Sequence, residues 1–393
     1  MAMMRRLGGP AAAAGPRTSA ALAGRRQFGA PSPASPARAA ASASAPTATP
    51  LQLKDQKPIR DFIPQPHLGN IEEPAALELL DRMVRIPLEV PGLFGDGAAP
   101  AVIDTAVVPP PALDASSPSS SSSSSSPPTP PVVMLHGFDS SSLEFRRLHP
   151  RLAREHALEP HAVDLVGWGF TDATPFSRAP DAPLPPSAKR AHLLSFWRDR
   201  LGGRPMLLVG ASLGGAVAID FALEHPEAVA GLVLIDPQAF VDGLGPPLPR
   251  PLAEAGVWVL RTPPLRQAAN KMAYHDAGRF ATDDAMRCGR LHTHLPGWSD
   301  ANVAWMGGGG YVLPAERVAR LSKPTLLLWG RQDAILPPAT AAKFEAALEE
   351  GVLEGGATSW LDDCGHCGHL ERPDEVAARV AAFARRLAAS TSV

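Results

Sequence analysis

Ser212 sits in Gly210-Ala211-Ser212-Leu213-Gly214, with a glycine two positions away on either side. The apolar run 205–209 precedes this pentapeptide and a helix-forming stretch, 215–224, follows it. A strand that turns sharply into a helix around a serine holds that residue in a strained backbone region, with little room for neighbouring side chains. The helix behind it aims unsatisfied N–H groups at any oxyanion formed there. A hydroxyl is a weak nucleophile alone, so such chemistry needs a base and a group to orient that base. Both follow in the order Ser, Asp, His. Asp333 lies in the loop after 324–330, which reads as a buried strand, and His366 and His369 follow 357–363, which reads as another. Asp236, closing the apolar run 231–236, is an alternative acid, and His369 an alternative base. Placement directly after the strand favours His366. Cys364 and Cys367 interleave with these histidines like a metal site, but zinc sites of that type use a second ligand pair at suitable spacing, and none is evident. The expectation is no metal and no organic cofactor.

Four separated segments together resemble the α/β-hydrolase family. His136-Gly137-Phe138, after the strand-like 132–135, resembles its oxyanion loop. Asp164-Leu165-Val166-Gly167-Trp168-Gly169-Phe170-Thr171 resembles its D-x-x-G-x-G-x-S segment, with Thr171 in place of serine. The serine pentapeptide is the third, and Gly365-His366-x-x-His369-x-Glu371-x-Pro373 the fourth. The match spans about residues 131–237 and 318–390. The resemblance implies an α/β fold, a mostly parallel central sheet flanked by helices with an inserted helical lid. It also implies Ser212 as nucleophile, His366 as base, Asp333 as orienting acid, and the backbone N–H groups of Phe138 and Leu213 as oxyanion hole. Details in 136–141, 166–170 and 218–228 are similar to plastid-targeted plant members. Serine at the elbow argues against the epoxide hydrolases and haloalkane dehalogenases of this fold, which by resemblance use aspartate there.

The elements that must position these residues divide the chain. We expect 1–54 to be a transit peptide, 70–237 and 318–393 to form the hydrolase core, and 238–317 to be the lid. Residues 1–54 hold six Arg and no Asp or Glu, a composition typical of organelle transit peptides. The Ser, Ala and Pro content favours the plastid, with the mitochondrion as alternative. Residues 114–131 include eight consecutive serines, 119–126, and read as a flexible insertion in a hairpin connection. The segments 84–90 and 101–108 before it read as antiparallel strands. Between 238 and 317 the alternation of strand and helix stops, with helical patches and no convincing strand. Trp258, Trp298, Trp305 and Met306 there are the candidate lining of a substrate pocket, against the alternative that they form the lid's own core. Gly307 to Gly310 read as either a hinge or a plain loop.

Composition sets the outer bounds. The 393 residues suffice for one large domain plus an insertion. A net charge of −2 provides no field for nucleic acid or an anionic membrane. Three cysteines, an odd count, fit a reducing compartment rather than a disulfide framework. No stretch approaches the roughly 20 apolar residues of a membrane-spanning helix. The expected partner is a small lipophilic ester, cleaved through an acyl-enzyme. A ligand-binding receptor of the same fold, a carbon–carbon bond hydrolase and an acyltransferase remain alternatives.

Overall fold

The computed structural model describes residues 56–95, 97–111 and 128–391. The proposed transit segment and most of the serine-rich insertion therefore lie outside the described residues. Within them, a nine-stranded sheet forms the centre of the molecule. In chain order its strands are β1 (Lys57–Pro58), β2 (Val84–Val90), β3 (Ala101–Val108), β4 (Val132–Leu135), β5 (Pro160–Val163), β6 (Met206–Ala211), β7 (Val229–Ile235), β10 (Thr325–Gly330) and β11 (Ser359–Leu361). A separate two-stranded ribbon is made by β8 (Val241–Asp242) and β9 (Val312–Leu313).

The sheet order is β1-β2-β3-β5-β4-β6-β7-β10-β11. The first strands pair antiparallel, and from β5 onward every neighbour is parallel. The antiparallel pairing of 84–90 with 101–108 is as expected. The connection from β3 to β4 is not a hairpin, however. Residue Val107 pairs with Val163 of β5, and β4 lies on the far side of β5, so the chain crosses over that strand.

The strands read as apolar runs because both faces are covered. On one face Val133, Leu135, Leu208, Leu232, Leu234, Leu327 and Trp329 join a core with α1 (Pro186–Leu201) and α2 (Leu213–Glu224). Their alternate neighbours Val132, Met134, Leu207, Val209, Val233, Leu326 and Leu328 join a second core with the C-terminal helix, Pro373–Thr391. This period of two divides one sheet between two cores.

Between β8 and β9 the chain leaves the sheet as a mainly helical insertion. Its longer helices are α3 (Arg250–Leu260), α4 (Pro263–Ala273), α5 (Asp283–Arg290) and α6 (Trp298–Gly307). The ribbon β8–β9 ties the entry and exit of this insertion together, two short strands that the apolar pattern did not announce. Gly308 and Gly310 are tightly packed: a Cβ would fall 2.2 Å from the Leu184 carbonyl oxygen and 2.7 Å from Leu244. Close approach to the Leu184 backbone explains Gly308, while Gly310 has a φ of 70° and packs against the Leu244 side chain.

Candidate active site

The parallel strands β4, β6, β7, β10 and β11 are consecutive neighbours, and each ends on the same edge of the sheet. His136 follows β4, Ser212 follows β6, Asp236 follows β7, Asp333 lies three residues past β10, and His366 follows β11. The carboxyl edge of such a sheet is where α/β proteins place their chemistry.

Ser212 has φ 52° and ψ −120°, the strained conformation of a sharp strand-to-helix turn. Its carbonyl accepts from the N–H groups of Gly215 and Gln238 at 2.9 and 2.8 Å, and its own N–H donates to Ile235 at 3.0 Å. The flanking glycines are required by contact. A Cβ on Gly210 would lie 2.4 Å from the Gly214 carbonyl oxygen, and one on Gly214 would lie 2.1 Å from that of Leu135. The turn thus closes only because β4, β6 and α2 meet backbone to backbone there.

The loop after β4 lies directly against the serine: a Cβ on Gly137 would be 3.4 Å from Ser212 Cβ and 3.7 Å from Glu144 Oε2. His136 is fully buried, and burial holds its pKa down at about 3, so the ring is neutral. Its Nε2 accepts the Leu165 N–H at 3.1 Å, which leaves Nδ1 to donate to the Gly137 carbonyl at 2.8 Å. Locking that carbonyl turns the Phe138 N–H, on the opposite side of the same trans peptide, away from His136. The Gly137 N–H is held by both oxygens of Glu144 at 3.1 and 3.2 Å. Among the described residues, neither the Phe138 nor the Leu213 N–H donates to a protein group.

Asp164 fixes the same loop from the other side. It accepts from Ser142 N and Oγ at 2.6 and 2.5 Å and from Phe170 N at 2.6 Å. Gly169 must be glycine, since a Cβ would sit 2.3 Å from Asp164 Oδ2. Thr171 replaces the family serine without loss, because its hydroxyl donates to Asp164 O at 2.7 Å and accepts from Ala106 N at 3.0 Å.

His366 Nδ1 lies 2.8 Å from Asp333 Oδ2, and both residues are buried. The other oxygen of Asp333 accepts the N–H groups of Ile335 and Leu336 at 2.7 and 2.9 Å. With Nδ1 donating to the carboxylate, Nε2 is the basic nitrogen. Gln332 binds the two loops together, its N–H donating to Cys364 O and its Oε1 accepting Cys364 N–H, each at 2.9 Å. Glu371 explains its place in the G-H-x-x-H-x-E-x-P segment: it accepts the Gly365 N–H at 2.6 Å and the Asp276 N–H at 3.1 Å. The His366 N–H donates to Ala273 O of α4 at 2.7 Å, so the insertion touches the histidine loop directly.

His369 is buried against Phe145, with Nε2 3.8 Å from Glu144 Oε1, and it makes no hydrogen bond to Asp333. Among the described residues, the groups compact enough to hold an ion include Asp236, Asp333 and His366 but neither Cys364 nor Cys367 with a histidine.

The four candidate pocket residues are dispersed. Trp258 is 70% exposed and lines no interior space; Ala253 and Val257 occupy the inward face of α3, and one further residue rotates the indole outward. Trp298 is buried and donates its Nε1–H to Asp139 at 2.8 Å. Trp305 packs edge-on to Trp168 at 4.9 Å in the main core, and Met306 joins Trp298, Val303 and Val257 in a small core of the insertion itself. Asp139, Glu144 and Asp236 were not singled out as site residues in their present roles. The partners of Asp139 and Asp236 lie too far away in sequence for any local pattern to reveal them, while Glu144 reaches Gly137 only seven residues back.

A serine at such an elbow, on the carboxyl edge of a mostly parallel sheet covered by helices, is the architecture of an α/β hydrolase. The model of the alpha/beta hydrolase family matches residues 132–379. The chain is 36% identical over 325 residues to the alpha/beta hydrolase domain-containing protein VTE7 of Arabidopsis thaliana, covering 82% of this chain and 89% of that one. It is 28% identical over 269 residues to lipase LipV of Mycobacterium tuberculosis, covering 63% and 90%. Among solved structures, an esterase from Thermogutta terrifontis shares the fold with a TM-score of 0.57 at 20% identity, covering 77% of this chain and 98% of that one. The chain belongs to the alpha/beta hydrolase family, and it is a hydrolase.

Proposed function

We propose that this protein is a serine hydrolase that cleaves a carboxylic ester of a lipophilic small molecule through Ser212, His366 and Asp333. The observation that carries the reading is the buried 2.8 Å contact from His366 Nδ1 to Asp333 Oδ2, on the same sheet edge as the strained Ser212. His366 Nε2 takes the proton as Ser212 Oγ attacks the acyl carbon, and Asp333 stabilises the imidazolium. The N–H groups of Phe138 and Leu213 hold the oxyanion, each worth about 3–4 kcal/mol of barrier. The alcohol leaves with the proton from His366. Water then attacks the acyl-serine, gives its proton to His366, and Ser212 is restored.

Residues 238–317 serve as a lid over this edge, supported by the contacts of α4 and α6 with the histidine and oxyanion loops. A lipophilic substrate is favoured by the similarity to a lipase. Among the described residues no helix is long and apolar enough to cross a membrane. The acid-free, Arg-rich residues 1–54 and the plant relative support a plastid address.

The test is hydrolysis of a graded p-nitrophenyl ester series by the full chain and by Ser212→Ala. We expect turnover in the wild type and a loss of at least about 10³-fold in the variant. Turnover that survives Ser212→Ala would refute the reading.

A further inference from the structure

Two carboxyl groups, not one, stand beside His366. Asp236 directly follows β7 with a positive φ of 43°, and one side-chain atom each of Asp236, Asp333 and His366 lie within 4.8 Å of one another. Asp236 is fully buried and Asp333 nearly so. Among the described residues neither carboxyl pairs with a lysine or arginine, and the ionisable groups around Asp236 include Asp333, His366, Glu371 and the thiols of Cys364 and Cys367, with Arg372 beyond Cys364. Two adjacent buried carboxylates without a cation cannot both stay ionised.

The hydrogen bonds show which one keeps the charge. Asp333 collects three donors, from Ile335, Leu336 and His366. Asp236 has one, the Gly330 N–H on Oδ1 at 2.8 Å. Its Oδ2 is buried and receives no hydrogen among the described residues, and one oxygen of the Asp236 carboxyl lies within 4.8 Å of one of Asp333. A proton on Oδ2 resolves both the orphaned oxygen and the repulsion.

We propose that Asp236 is a positioning residue of the catalytic site, which holds a proton at neutral pH and donates it through Oδ2 to Asp333. The inference rests on the reading of Ser212, His366 and Asp333 as the reacting set. Burial first, and then the neighbouring Asp333, push the Asp236 carboxyl well above the usual carboxylate range. The unit that orients His366 is a pair of carboxyl groups carrying one negative charge. Its hydrogen bond holds the Asp333 carboxylate in the orientation that meets His366 Nδ1.

The experiment measures the rate at which a fluorophosphonate probe labels Ser212 in the full chain, across pH, in wild type, Asp236→Asn, Asp236→Ala and Asp333→Asn. An amide at 236 preserves both bonds, its oxygen on Gly330 N–H and its N–H on Asp333. We therefore expect Asp236→Asn to stay within about threefold of wild type with its pH profile in place. Asp236→Ala should lose about tenfold or more, and its pH profile should shift, because Asp333 loses the donor that Asp236 supplies. Asp333→Asn should lose about 10³-fold or more. Infrared difference spectra add a readout independent of turnover: the C=O stretch of a neutral buried carboxylic acid at pH 7, absent in Asp236→Asn. Asp236→Asn as damaged as Asp333→Asn, an unmoved profile in Asp236→Ala, or no neutral-acid band each overturns the proposal. A folded wild type that is never labelled at Ser212 instead overturns the reading beneath it, and the infrared band then judges Asp236 alone.

Discussion

Asp139 joins the insertion to the loop that carries the Phe138 N–H. Its buried carboxylate pairs with Arg266 of α4 and accepts Trp298 Nε1–H of α6 at 2.8 Å. His292 Nε2 stands at 3.2 Å and Asn302 Nδ2 at 3.5 Å, so every one of these partners belongs to the insertion. Replacing Asp139 by alanine leaves the Arg266 guanidinium, with 17% side-chain exposure, without its counter-charge. Breaking a buried pair from one side costs about 3–5 kcal/mol, and an orphaned buried donor such as the Trp298 N–H costs about 1–3 more. These terms share atoms and do not add fully, so about 4 kcal/mol is the expected loss. It should fall on the insertion, not the sheet, and should appear as faster proteolysis and hydrogen exchange within 243–311 before global unfolding. The assay is a denaturation and hydrogen-exchange cycle over Asp139→Ala, Arg266→Met and the double variant. The double variant should be less damaged than the sum of the singles by at least about 1 kcal/mol. The pH dependence has a definite sign. Burial raises the Asp139 pKa, but Arg266 and His292 outweigh it and hold the group at about 2. Its contribution is present above the unfolded carboxylate value near 4 and is lost as pH falls through about 2. Strict additivity of the two single variants, or unchanged exchange in the insertion of Asp139→Ala, would refute this role of Asp139.

Two further outcomes follow from other parts of the site. Burial raises the Glu144 carboxyl to about 7, so its native state binds a proton that the unfolded chain releases near 4.5. Its contribution is present below pH 4.5 and is lost as pH rises through 7; Glu144→Gln should therefore flatten the fall in stability across that window by about 3 kcal/mol, read from urea midpoints at a series of pH values. Trp258→Ala should leave turnover of a soluble ester unchanged and stability within about 0.5 kcal/mol, because the indole is exposed. A drop in kcat/KM beyond about threefold in that variant would return Trp258 to the substrate path.

What was legible in the chain is what local sterics and local periodicity enforce. The serine turn shows itself because β4, β6 and α2 meet there with no space for a Cβ at Gly210 or Gly214. Strands buried on both faces appear as unbroken apolar runs, so β4, β6, β7 and β10 stand out, and the order of Ser212, Asp333 and His366 follows from the strands that carry them. The path from β3 to β4 was not legible, since nothing within 101–135 says that β5 will insert between them.

The direction in which a side chain points was decided by tertiary structure alone. Trp258 and Trp298 are the same residue type on neighbouring helices, yet one faces solvent and the other caps a carboxylate 159 positions away. The charges behave likewise. Asp139, Glu144, Asp236 and Asp333 are four acids in one sequence, and only their packing decides which is ion-paired, which have their carboxyl pKa pushed upward and which lies against His366 Nδ1. The physical reason is range. Backbone sterics and hydrophobic periodicity act over a few residues, whereas desolvation and Coulomb interactions act over a few ångströms, and only the completed fold brings distant residues that close.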